Sequence, residues 1–258
     1  MLFHIKSYLK FLSKSTNQHG VHSPFVFNLV TKCFYSKTDS QKNVIINQYR
    51  NQLVNNNSII SVTDFGKGSK IFKSNERKVS KIAKIAGISK KRSKLLIRIV
   101  SHFKSTEILE IGTSLGIGSA SLALGNLNAQ ITTLEGCTNT ANIASKQFKK
   151  FDFNSIYIST GDFKNTLSKS VENKSYDLIY FDGNHQKEAT IDYFEQCLKT
   201  IHNETVFIFD DIHWSTEMLK AWEYIKNHNQ VTVTIDTYFW GIVFFRKEQT
   251  KQHFVIRI

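Results

Sequence analysis

At 258 residues with 41% hydrophobic side chains, the chain is long enough for one large α/β domain plus an extension, and it has ample apolar material for a core. A net charge of +13 raises nucleic acid as a partner, but the lysines are spread along the chain and no RNA-binding module is recognisable, so specific nucleic-acid recognition is not expected. Cys33, Cys137 and Cys197 lack metal-ligand spacing and point to a reducing, cytoplasmic setting, while no apolar run approaches the length of a membrane span.

The first twelve residues place apolar side chains at positions 2, 5, 9 and 12, one face of a helix. Lysines interrupt the segment and no small-residue cleavage site follows, so it is a poor signal peptide. Docking onto the chain's own body, or onto a second copy as a homodimer, outweighs binding to a membrane surface. Further on, Ser23 and Pro24 read as N-cap and first residue of a helix. Asn55–Ser58 is a loop, and the glycine-containing stretch Asp64–Ser69 reads as a lid or substrate-side loop. Helices are expected over 76–86 and 89–103, the latter opening on the basic patch Ser89–Lys94, a solvated face. Residues 1–103 thus form a mainly helical extension to a domain over 104–258.

That domain opens on the most informative stretch of the chain. Glu107-Ile-Leu-Glu-Ile-Gly-Thr-Ser-Leu-Gly-Ile-Gly118 reads as an apolar strand, a glycine-spaced loop and the start of a helix. Such a loop, with free N–H groups and a positive dipole end behind it, cradles the polar part of a nucleotide-like cofactor. A dinucleotide site wants G-x-G-x-x-G; here Glu110 precedes G-x-x-x-G-x-G. Strand Ile131–Leu134 ends at Glu135, placed for ribose hydroxyls, a solvated loop Glu being the bland alternative. Strand Ser155–Ser159 leads to Asp162. Two nearly continuous apolar strands follow, Tyr176–Phe181 ending in Asp182-Gly-Asn-His185, and Thr205–Phe209 ending in Asp210-Asp-Ile-His-Trp214. Their three carboxylates are expected on one rim, where oxygen-rich sites suit Mg²⁺, Mn²⁺ or Ca²⁺. A helix over Ser215–His228 and strands Val231–Ile235 and Gly241–Phe245 complete the pattern, with Phe254–Ile258 extending the edge.

These motifs resemble the class I S-adenosylmethionine (SAM)-dependent methyltransferases. The Asp-Gly-x-His and Asp-Asp-x-His segments are similar to those of catechol, caffeoyl-CoA and related O-methyltransferases. The resemblance implies an α/β, Rossmann-like doubly wound sheet of seven strands with the last antiparallel. It implies SAM contacts from Glu110, Gly112, Thr113, Ser114, Gly116, Gly118, Glu135, Gly136, Asp162 and Asp182. Asp162 reads equally as a helix N-cap. A divalent ion, Mg²⁺ by first choice, would sit on Asp182, Asp210 and Asp211. Asp stands where the catechol type has Asn, and no lysine base is evident, Lys187 reading as a helix-surface residue. His185, ahead of His213, is the candidate general base, the alternatives being a helix cap and a packing partner of Trp214. The implied function is metal-assisted methyl transfer to a hydroxyl of a small molecule. The alternatives are a metal-independent RNA or protein methyltransferase, and a SAM-binding protein without transfer activity.

Overall fold

Short apolar runs that end at acidic positions become strands, and the amphipathic runs between them become helices. The computed structural model describes residues 2–63 and 74–258, so the expected lid at Asp64–Ser69 lies outside the described residues. The chain falls into two compact units, residues 1–35 with 171–258, and residues 36–170.

The discontinuous unit begins with α1 (Leu2–Lys14) and α2 (Pro24–Leu29), which runs into a π-helical turn at Val30–Phe34. Ser23 caps α2, its hydroxyl accepting from Val26 N, with Pro24 in the first turn, as the sequence predicts. The segment after α1 is tied to the chain's last residues: Thr16 N donates to Val255 O at 2.9 Å and Arg257 N donates to Thr16 O at 3.0 Å.

The continuous unit holds α3 (Ser40–Val54), the antiparallel pair β1 (Ile59–Ser61) and β2 (Glu76–Lys78), α4 (Val79–Ile85) and α5 (Lys90–Phe103). Then come β3 (Glu107–Ile111), α6 (Ile117–Gly125), β4 (Gln130–Glu135), α7 (Thr138–Lys150), β5 (Ile156–Thr160) and α8 (Phe163–Ser170). Strands β3, β4 and β5 pair in parallel, with Glu110 opposite Thr133 and Glu135 opposite Thr160. Helix α5 buries Leu95, Leu96, Ile97, Ile99 and Val100, while Lys90 and Lys91 stay exposed, so the basic patch is a solvated face. The sequence places a helix over 76–86, yet residues 76–78 form β2, because Glu76, Arg77 and Lys78 complete the ladder with β1.

The discontinuous unit resumes with β6 (Leu178–Phe181), α9 (Lys187–Cys197), β7 (Val206–Asp210), α10 (Thr216–Asn227), β8 (Val233–Asp236), β9 (Trp240–Phe244) and β10 (Gln252–Val255). Strand β6 is parallel to β7, β9 runs antiparallel to both β7 and β8, and β10 lies parallel on β8. Strands β6 and β7 are buried along their whole length, which their unbroken apolar sequence requires.

Among the described residues three of these strands stand in the continuous unit and five in the other, eight in all where the resemblance implies seven. The additional one is β10, formed by the segment read as an edge extension. The compact units divide the chain at 35/36 and 170/171. Hydrogen bonds from α1 and its following turn hold the first residues to the unit of residues 171–258. Among the described residues, no helix is long and apolar enough to cross a membrane.

Candidate functional site

In the continuous unit the site is the turn between β3 and α6. Gly112 has φ 111° and Gly116, the N-cap of α6, has φ 76°, both in the left-handed region. Gly116 also lies too close to its neighbours for a side chain: a Cβ there would stand 2.5 Å from Phe148 Cε1 and 2.7 Å from the Tyr49 hydroxyl. The loop's shape is fixed from two sides. Gly112 N and Thr113 N both donate to Leu134 O at 3.0 Å, and Gly116 N donates back to Thr113 O at 2.8 Å. From α3, the buried Tyr49 hydroxyl donates to Leu115 O at 3.0 Å.

Glu135, at the tip of β4, accepts from Ser114 N at 2.6 Å through Oε2, and from Cys137 N at 2.9 Å and the Thr140 hydroxyl at 3.1 Å through Oε1. Burial raises its pKa, while the N–H groups of Cys137 and Ser114, the Thr140 hydroxyl and the N–H of Gly136 oppose that rise. Glu135 is thus a half-buried carboxylate stitched to the glycine loop, and the solvated-loop reading does not describe it.

Glu110 sits deeper. It is 1% exposed, with Oε2 accepting from the hydroxyls of Ser119 and Thr133, while Oε1 is buried with no hydrogen-bond partner. Burial pushes its pKa up to about 7, against the pull of the Ser119 and Thr133 hydroxyls, and the neighbouring Glu135 adds to the rise. The Thr113 hydroxyl is 2.6 Å from that of Thr133, so Thr113 is turned into this buried network. Gly118 lies buried in the first turn of α6. Asp162 is exposed, and its Oδ1 accepts from Lys164 N at 2.9 Å, the geometry of a cap at the start of α8.

In the discontinuous unit, Asp182 follows β6, Asp210 ends β7 with 6% exposure, and Asp211 follows at φ 55°. Tyr180 donates its hydroxyl to Asp182 Oδ2 at 3.1 Å, and Asp182 Oδ1 stands 3.9 Å from His185 Nε2. Asn184, also left-handed at φ 51°, donates from Nδ2 to the Tyr193 hydroxyl at 3.2 Å, leaving Oδ1 buried and unpartnered. Among the described residues no three His, Cys, Asp or Glu side chains are grouped to hold a metal ion.

His213 is held between two side chains. Its Nδ1 is 2.8 Å from the Ser7 hydroxyl and its Nε2 is 2.8 Å from Asp236 Oδ2. The ring stacks on Tyr238 at 4.9 Å and meets Phe11 edge-on. Both ring nitrogens are within hydrogen-bond distance of a partner, so His213 links α1 to the end of β8. His213→Ala should cost about 2–4 kcal/mol in urea unfolding, because it strands a partly buried carboxylate and hydroxyl. Undiminished stability with collapsed turnover would return it to the role of base.

Tyr49, Ser119, Thr133, Ser7 and Asp236 had no signal in the sequence. Tyr49 acts across 66 positions and Ser7 across 206, and neither stands in a motif.

Residues 109–212 match a family described as a methyltransferase domain. Curated proteins give no match. Solved structures share the fold at low identity. The SAH-bound methyltransferase PaMTH1 of Podospora anserina is 15% identical over 88% of this chain and 97% of its own, with a TM-score of 0.61. An O-methyltransferase from Bacillus cereus in complex with SAH is 20% identical over 85% and 97%, at 0.54. The O-methyltransferase TomG of Streptomyces achromogenes, involved in tomaymycin synthesis, is 18% identical over 62% and 82%, at 0.55. The acidic strand, glycine loop and buried helix lie inside the matched region, so residues 109–212 carry a methyltransferase domain, and the chain shares the fold of these solved methyltransferases.

Proposed function

We propose that the chain transfers the methyl group of SAM to a hydroxyl of a small-molecule acceptor. The observation that carries this reading is the glycine loop tied to Glu135 through Ser114 N. A loop with left-handed Gly112 and Gly116 brings backbone close to a ligand. An orphaned Glu110 oxygen behind it is a further polar group for the cofactor side.

When bound, SAM supplies an electrophilic methyl on its sulfonium. The loop of Gly112, Thr113, Ser114, Gly116 and Gly118 holds the amino-acid end. Glu135 and Gly136 take the ribose: the carboxylate already depends on donors to remain charged in a buried setting, and ribose hydroxyls are donors of the same kind. Asp162 meets the adenine while keeping its cap. On the acceptor side His185 takes the hydroxyl proton, and Asp182, 3.9 Å from its Nε2, steadies the imidazolium that forms. Unchanged turnover in His185→Ala would remove that role.

Asp182, Asp210 and Asp211 are the carboxylates that would hold a divalent ion; no three-ligand group is formed among the described residues, and no step is assigned to such an ion. The deciding experiment is calorimetric titration with SAM, followed by methyl transfer to a panel of hydroxylated small molecules, with and without chelator. Expected are SAM binding in the wild type, a loss of about 1–3 kcal/mol in Glu135→Ala, and transfer that survives chelation. Transfer lost on chelation and restored by Mg²⁺ would reinstate the ion on the three aspartates. Transfer to RNA or protein alone would make the acceptor a macromolecule. Binding without any transfer would leave a cofactor-binding protein.

A further inference from the structure

Helix α1 docks through a narrow stripe. Ser7 is 8% and Phe11 6% exposed, the former tied to His213 and the latter packed against the His213 and Tyr238 rings. Beside this stripe Tyr8 is 45% exposed, and beyond it Ile5 and Leu9 are 52% and 59% exposed. At 100° per residue these three cluster on one arc with Leu12, and Lys6, Lys10 and Lys14 lie on the adjoining arc. The helix contains no acidic residue.

The apolar face continues onto the body of the unit. The Tyr8 ring meets Tyr238 edge-on at 4.9 Å, and the Tyr238 hydroxyl donates to His4 O at 3.2 Å. Phe239, next to Tyr238, is 51% exposed, and Trp214, whose ring contacts His4, is 41% exposed. Five large apolar side chains thus stay 41–59% exposed around one helix, flanked by lysines, on a chain of net charge +13. Solvated monomers seldom leave such a patch without a partner.

We propose that this face of α1 docks the protein on an anionic lipid surface. The chemistry fits on both counts. Aliphatic and aromatic side chains enter the boundary between headgroups and acyl chains, with tryptophan and tyrosine favoured there. Lysines along the edge of the face meet lipid phosphates, and no carboxylate on the helix opposes them. A second copy of the chain would bring lysines against lysines, which makes it the poorer occupant. This proposal is independent of the methyl acceptor.

Flotation of the full chain with vesicles tests it, using phosphatidylcholine alone and phosphatidylcholine mixed with phosphatidylglycerol. The wild type should float with the anionic vesicles, less so at high salt, and weakly or not at all with the neutral ones. Ile5→Glu with Leu9→Glu should lower partitioning at least about ten-fold, because charges replace the inserted side chains. Lys6→Gln with Lys10→Gln should lower it about thirty-fold, at about five-fold per lysine. All four positions are exposed, so circular dichroism and SAM affinity should match the wild type in both variants. A wild type that binds neither vesicle overturns the proposal, as does anionic binding that the Ile5 and Leu9 replacements leave intact. A dimer in solution that those replacements dissolve, without vesicle binding, also overturns it and gives the face to a second copy.

Discussion

Gly116→Ala should destabilise the protein by about 2–5 kcal/mol and remove measurable SAM binding. Two separate costs add at this position. The backbone stands at φ 76°, where an L side chain pays about 1–2 kcal/mol. The new methyl would also lie 2.5 Å from Phe148 Cε1, 2.6 Å from Cζ and 2.7 Å from the Tyr49 hydroxyl, so the crowding adds about 1–3 kcal/mol. Relief by moving Tyr49 would break its bond to Leu115 O and release the loop from α3. Relief by rotating Gly116 would change the start of α6, where the cofactor's polar end is proposed to lie. Urea unfolding and calorimetry on Gly116→Ala measure both effects. Adding Phe148→Leu should recover part of the stability by making room, and none of the portion due to φ. A variant with wild-type stability and SAM affinity would show that the loop is not the cradle.

Elements that repeat a period were legible in the sequence. The unbroken apolar runs of β6 and β7 predict strands buried on both faces, and the Ser23-Pro24 pair predicts the start of α2 because capping is a local interaction. Glu135 was legible for the same reason: a carboxylate one strand after a glycine loop has few places to point. The pair β1 and β2 was not. Its strands are three residues each, and Glu76-Arg-Lys78 has no apolar face, so only pairing with Ile59–Ser61 makes it a strand. The partners of His213 were not legible either: Ser7 and Asp236 bond its two ring nitrogens, and neither is near it in sequence. Tyr49 carries the same lesson, since a tyrosine in the middle of α3 gives no sign of holding a loop 66 positions away.

The stability of the protein should fall as pH rises from about 4.5 to about 7, and Glu110 should be a main cause. Burial raises its pKa from 4.5 to about 7, so between these values the folded chain holds a proton that the unfolded chain has released. Stability then decreases with pH: the contribution is fully present below about 4.5 and lost above about 7, and the interval corresponds to about 3 kcal/mol. Glu110→Gln cannot titrate, so this part of the slope should vanish. The amide keeps an oxygen for the Ser119 and Thr133 hydroxyls but places an NH₂ where Oε1 has no partner, at about 1–3 kcal/mol. The variant should therefore be less stable than the wild type near pH 5 and approach it near about pH 8. Glu135, whose pKa is also raised by burial, is present in both proteins, so the difference between the two curves isolates Glu110. Urea midpoints across that range measure it. Parallel curves would mean that Glu110 is ionised throughout, held charged by its two hydroxyl donors and the N-terminal end of α6 despite its burial.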